Sequence, residues 1–172
     1  MRKPLSIFSA VFLAALFSGF FRAVPVIAAA GGGSVKESSD LAVVVNPKNP
    51  VTNLTIDELK KVLLGEQARW KDNTKISVVL RQPGTRERTV LLGKVLHMTE
   101  PEFKQSWMAA VFRGDVDAEP FVAPSNGSAS NYLDVYPGGI AFMPGTDLRG
   151  DLKVLKINGR LPGEPDYPVK DR

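Results

Sequence analysis

The chain has no cysteine and a single histidine, His97, in 172 residues. The first absence removes thiol nucleophiles, disulfides and cysteine-bound metal, and the second removes any histidine-rich metal centre. No serine lies in a hydrolase motif with a histidine and an acid, so nucleophilic catalysis has no support and the chain is expected to be neither an enzyme nor a cofactor carrier. An excess of one charge is missing too. The 22 basic and 18 acidic residues leave +4, but Arg2, Lys3 and Arg22 lie in a segment expected to be removed. Without those three, 19 basic residues face 18 acidic ones with the signs interspersed. That balance lacks the concentrated basic footprint of nucleic-acid binding.

The N-terminus reads as a secretory signal: a basic start, an apolar run from Leu5 to Phe21, then Ala28-Ala29-Ala30 as a small-residue cleavage site. The competing reading is a membrane anchor, since the run approaches the ~18 apolar residues of a spanning helix. Gly19, Arg22 and Pro25 interrupt it, which favours cleavage after Ala30. No cysteine follows to carry a lipid. The expected organisation is therefore a signal peptide over 1–30, a flexible Gly/Ser-rich lead-in over 31–40 and one folded domain over 41–172, with no membrane span after cleavage and a periplasmic or secreted destination.

Leu41 to Val45 (LAVVV) and Ile76 to Leu80 (ISVVL) are apolar, β-branched runs of the kind that form strands covered on both faces. Between them Thr55, Glu58 and Gly65 punctuate a helix, with Ile56, Leu59, Val62 and Leu63 on its buried face. A second helix is expected from about Thr85 to Leu96, with Leu91, Leu92 and Val95 inward and His97 at its C-terminal end. A third runs from a Thr99/Glu102 capping box to Gly114, its core stripe Phe103, Trp107, Ala110 and Val111. A short helix over Ser128 to Tyr136 turns at Pro137-Gly138-Gly139 into a strand, Ile140 to Met143, and Val154 to Ile157 is a last strand. Trp70 and Trp107 read as packing residues. Asp115, Asp117 and Glu119 read as a solvated acidic turn, because they lack the register of a calcium loop. Alternating strands and helices imply an α/β domain with a mixed, largely parallel sheet.

One stretch carries chemistry. RQPGTRER follows a strand and opens a helix, where unpaired N–H groups and the dipole suit a small oxyanion. Gly84 permits close approach, Thr85 can cap or donate its hydroxyl, and Arg81 and Arg86 offer forked donors matched to tetrahedral oxygens. Ser125, in the Ser125-Asn126-Gly127-Ser128 loop, can close over the anion from the next turn. The alternative for both loops is ordinary helix capping with solvated arginines.

These segments together resemble phosphate ABC transporter substrate-binding proteins. LAVVVNPKNPVTNLTIDELKKVLLGEQARWKD resembles the family's strand, Asn-Pro turn and helix; PGTRE its Ser-Gly-Thr-Arg anion loop; FKQSWMAAVFRG the helix after it; YPGGIAFMPG its Pro-Gly-Ala-Ile-Gly-Tyr strand; and LKVLKINGR with Tyr167-Pro168-Val169 its C-terminal end. The resemblance implies a single-lobe, periplasmic-binding-protein-like (type II) α/β domain. It further implies a ligand that is inorganic phosphate or a similar oxyanion, and an ABC permease or a second protein lobe as partner. The likeness falls on the family's second lobe. Pro83 stands where the family has serine, the interval from Arg81 to Gly84 is shorter, and the acidic acceptor for the proton of phosphate has no counterpart. An accessory protein that kept the lobe but lost the ligand therefore stays open beside the oxyanion binder.

Cleavage after Ala30 predicts that the exported protein begins at Gly31. Intact-mass spectrometry of secreted material checks this, and retention of Met1 would favour the anchor reading instead.

Overall fold

The computed structural model describes residues 40–171; the expected signal peptide and nearly all of the lead-in lie outside the described residues. The domain is built on a five-stranded sheet of order β4-β3-β5-β1-β6. In chain order the strands are β1 (Leu41–Val45), β2 (Asn53–Leu54), β3 (Ser77–Arg81), β4 (Phe121–Ala123), β5 (Gly139–Pro144), β6 (Lys153–Val154) and β7 (Lys156–Ile157). The helices are α1 (Ile56–Leu63), α2 (Arg86–Val90), α3 (Glu100–Arg113) and α4 (Asn126–Val135). β3 runs parallel to β4 and β5, while β1 runs antiparallel to β5 and β6. A separate parallel pair joins β2 to β7. The architecture is a mixed sheet flanked by helices, as the element pattern implies.

Every residue of β1 and β5 is buried. Their alternating side chains divide the interior into two unlike layers. Leu41, Val43, Val45, Val78, Leu80, Ile140 and Phe142 meet Leu59, Leu63, Leu91, Val95, Phe103 and Trp107 on one side. The other side is shallow: Ala42, Val44, Val79, Ala123 and Ala141 face Ala129 and Leu133 of α4. Small side chains there let α4 lie close to the sheet.

Local chemistry accounts for the helix ends. The Thr55 N–H donates to Glu58 Oε2 at 2.8 Å and the Glu58 N–H to Thr55 Oγ1 at 3.1 Å. That capping box holds the Glu58 carboxyl below its usual range, chiefly through the Thr55 backbone N–H. Gly65 leaves α1 at φ +74°, where a Cβ would meet the Trp107 ring at 3.3 Å. The second helix begins as α-helix and widens into a π-turn over Leu91–Leu96, which keeps Leu91, Leu92 and Val95 buried around Gly93. His97 follows in the left-handed region, exposed, its Nδ1 3.1 Å from the Gly93 carbonyl oxygen. At α3 the Thr99 N–H donates to Glu102 Oε2 at 2.7 Å.

The structure corrects one element and adds two. The expected continuous strand Val154 to Ile157 is broken at Leu155: Lys153 and Val154 pair with β1, whereas Lys156 and Ile157 pair with β2 in the other sheet. Buried Leu155 donates its N–H to the Val43 carbonyl at 2.8 Å, so the chain changes sheets there without leaving that group unpaired. β2 and β4 were not expected, and α4 starts at Asn126 rather than Ser128.

Both tryptophans are interior and bonded: Trp70 Nε1 donates to the Gly138 carbonyl at 3.0 Å and Trp107 Nε1 to the Leu63 carbonyl at 2.8 Å. Tyr167, buried with its phenol pushed up by desolvation, donates to the Leu41 carbonyl at 2.7 Å and ties the C-terminal segment to β1. Among the described residues no helix is long and apolar enough to cross a membrane. Trp107→Ala is expected to cost about 3–5 kcal/mol, the range for a core aromatic, because it also strands the Leu63 carbonyl. Urea unfolding measures this, and a loss near zero would contradict the packing described.

Candidate functional site

The parallel strands β3 and β4 end side by side, with Arg81 in register with Ala123. In an open α/β sheet, ligands gather at the carboxyl ends of strands. Here that end is covered by the Gln82–Thr85 turn leading to α2 and by the start of α4. Gly84, at φ +83° with open space around it, lets the turn reverse, and Thr85 ends the turn as the N-cap of α2. The Thr85 hydroxyl donates back to the Gln82 carbonyl at 2.8 Å, so it braces the turn. Ser125 is the N-cap of α4: its Oγ accepts from the Ser128 N–H at 3.0 Å.

The arginines have different surroundings. Arg81 is largely buried; its Nη1 donates to the Ala123 carbonyl at 3.0 Å, and its buried Nε has no hydrogen-bond partner. The nearest carboxylate is Glu87 Oε1, 3.9 Å from that Nε, on a side chain only 10% exposed. Arg86 faces solvent and donates its Nε to Asp171 Oδ2 at 2.8 Å. The hydrogen bonds from Asp171 push the Arg86 guanidinium further up than its ordinary value. Arg81, Ser125 and the intervening turn thus converge on one end of the sheet, while Arg86 is drawn to the C-terminal segment.

Three residues that motif reading passed over complete this corner. The Asn126 amide nitrogen donates to Glu87 Oε1 at 3.1 Å and to Asp147 Oδ2 at 2.6 Å. The Asn126 Oδ1 is buried without a partner. Glu87 and Asn126 lie inside the two loops singled out from sequence, where neither is among the expected ligands. Asp147, in a 3-10 turn after β5, had no local signal. Arg88, next to Glu87, turns the other way: it forms a two-pronged bond with Glu100 at 2.7 and 2.9 Å and lies 4.8 Å over the Phe103 ring.

Electrostatically, one guanidinium and the start of α4 face two carboxylates, Glu87 and Asp147. An anion entering this corner gains the Arg81 Nε and the helix dipole, and it must share them with the protein's own carboxylates. No group of three or more acidic or histidine residues placed to hold a metal ion exists among the described residues. Asp115 pairs with Arg113 at 2.8 Å and Asp117 with Lys75. A cavity of about 460 Å³ meets the turn only at Pro83, and the larger one, about 950 Å³, opens at the other end of β3.

Comparison with known proteins identifies the family and the fold. A family model described as a PBP superfamily domain matches residues 38–148, the span from β1 through Asp147. Among solved structures, an ABC-type phosphate transport receptor from Vibrio cholerae is similar at 23% identity and a TM-score of 0.58, over 72% of this chain and 48% of that one. PstS from Borrelia burgdorferi is similar at 20% identity and a TM-score of 0.59, over 76% of this chain and 54% of that one. The chain therefore spans about half the length of these structures.

The contrast between the arginines yields a stability test. Arg81→Gln is expected to cost about 2–3 kcal/mol, since it leaves Glu87 buried without its charge partner and frees the Ala123 carbonyl. Arg86→Gln, at an exposed pair, should cost less than about 1 kcal/mol. Denaturant titration of the two variants without ligand checks the order; equal costs would mean that Arg81 does not brace the sheet end.

Proposed function

The chain belongs to the PBP superfamily, and from that premise we propose that it binds a small oxyanion, phosphate foremost, at the carboxyl ends of β3 and β4. Arg81, Gly84, Thr85 and Ser125 line the mouth in this reading, and Arg86 joins them only by exchanging its bond to Asp171 for one to the anion. The observation that carries it is the Arg81 Nε: a buried guanidinium nitrogen with no hydrogen-bond partner, beside the first turn of α4. Such a donor is costly to leave unmade and becomes a charge-assisted bond when an oxygen arrives. The solved structures of similar fold include a phosphate transport receptor, which supports phosphate as the first ligand to try. The role is that of a non-enzymatic binding protein, exported to the periplasm and linked to an ABC permease.

Affinity follows from the contacts. Two or three charge-assisted bonds at about 1.5–3 kcal/mol each, reduced by competition from Glu87 and Asp147, lead to binding near the millimolar level, where 1 mM corresponds to roughly −4 kcal/mol. A second lobe closing over the anion would exclude water and strengthen each term.

A second reading rests on those same carboxylates. Glu87 and Asp147 already hold the Asn126 amide, and Asp171 already holds Arg86. A chain whose donors are satisfied internally serves as an accessory protein that has kept the lobe without the ligand. The two readings separate in a thermal-shift series. Phosphate at tens of millimolar should raise the melting temperature by several degrees more than sulfate at matched ionic strength, through mass-action stabilisation of about 2 kcal/mol at ~20-fold excess over Kd. Equal shifts from the two salts would leave the accessory reading standing.

A further inference from the structure

The cavity of about 460 Å³ lies between the first turns of α3 and the segment that enters β4, and it shares only Pro83 with the turn at the anion corner. Its walls are mostly carbon: Pro83, Pro101 and Pro120 with Phe103, Trp107 and Val122. Proline carries no N–H, and Trp107 Nε1 is already spent on the Leu63 carbonyl. The three proline rings and the indole therefore offer surface without donors.

Arg88 lines the same cavity, on a side chain only 8% exposed. Glu100 takes its Nε and Nη2 at 2.7 and 2.9 Å, and the Phe103 ring lies 4.8 Å from the guanidinium carbon. The remaining corner, Nη1, is buried with no hydrogen-bond partner. A charged donor left unmade in the interior is costly, and such atoms are rare in folded proteins. Glu100, Phe103, Lys104 and Trp107 follow the i, i+3, i+4, i+7 spacing of one face of α3 and all line the cavity. Lys104 is exposed and forms no ion pair among the described residues, so a second, uncommitted cation stands on the wall beside the guanidinium.

These features narrow the ligand. An uncharged apolar molecule would leave Nη1 unmet, and a bare inorganic anion would exchange its water for carbon walls and few donors. Glu100 and Glu119 complete the lining, so a second negative charge on the ligand would be opposed. We propose that this cavity is a second binding site, for a small organic monocarboxylate whose carboxylate bonds Arg88 Nη1 and Lys104 and whose apolar body lies against Phe103, Trp107 and Pro120. Its volume is within the range of about 300–1,000 Å³ common to small-molecule sites. The site is separate from the anion corner at Arg81, so its test stands whether or not phosphate binds there.

The experiment is a titration of the nitrogen-15-labelled protein with phenylacetate at matched ionic strength, followed by amide NMR shifts. Saturable shifts should appear at residues 100–107 and 119–122, with a Kd of about a millimolar, as one or two charge-assisted bonds allow. Acetate, which lacks the ring, and 2-phenylethanol, which lacks the charge, should each bind at least about tenfold more weakly. Lys104→Glu, at an exposed position, should leave the melting temperature within about a degree and weaken phenylacetate by about tenfold. Arg88→Gln should abolish the binding; should that variant not fold, Lys104→Glu and the ligand series carry the test. Absence of saturable shifts by tens of millimolar overturns the proposal. So do equal binding of acetate or 2-phenylethanol, undiminished binding by Lys104→Glu, and shifts confined to residues 81–86 and 125–128, which would assign phenylacetate to the anion corner instead.

Discussion

The backbone of β1 and β5 has no access to water along its length, so its N–H and C=O groups depend on the neighbouring strands. The antiparallel register that satisfies them, Leu41 opposite Pro144 through Val45 opposite Ile140, settles which side chains point to which face. A slip of one residue would exchange Ala42 and Ala141 on one face with Leu41, Ile140 and Phe142 on the other. The alanine face then could not admit α4. Because α4 rests on those alanines, Asn126 reaches Glu87 and Asp147, and the corner around Arg81 closes. Tyr167 secures the same pair from outside by taking up the Leu41 carbonyl.

The corner has an internal tension that bears on its chemistry. Arg81 supplies positive charge where an oxyanion would enter, yet Glu87 and Asp147 bring more negative charge than Arg81 offsets. Asn126 mediates by donating to both carboxylates, and the cost is its own buried Oδ1, left without a partner. Unsatisfied atoms on Asn126 and Arg81 sit together at the strand ends. Buried polar groups are rarely left unpaired, and the proposed anion corner would give both atoms a partner. Arg88 belongs to a different system: its bond to Glu100 and its stacking on Phe103 brace α2 against α3.

Much of this protein could be read from local residue order. Thr55 with Glu58 and Thr99 with Glu102 marked two helix starts, Gly65 and Gly114 their ends, and LAVVV and ISVVL two covered strands. Each depends on contacts within a few residues, which order along the chain records directly. The turn around Gly84 and the cap at Ser125 were legible for the same reason, and so was the likeness to the family that the comparisons support.

Tertiary structure decided the rest. β4 has three residues between prolines and takes its strand form from β3; the break at Leu155 arises because the two halves of VLKI pair with different sheets. No periodicity records either. The partners of the arginines were equally beyond local reading, since Arg86 meets Asp171 across 85 residues and Asn126 meets Glu87 across 39. The sequence by itself determined the helices, the covered strands and the candidate donors for an oxyanion, because capping, alternation and donor type are short-range properties. Only the folded chain decided which of those donors share a corner and which are already held by carboxylates, because that depends on strand order and on how closely α4 approaches the sheet.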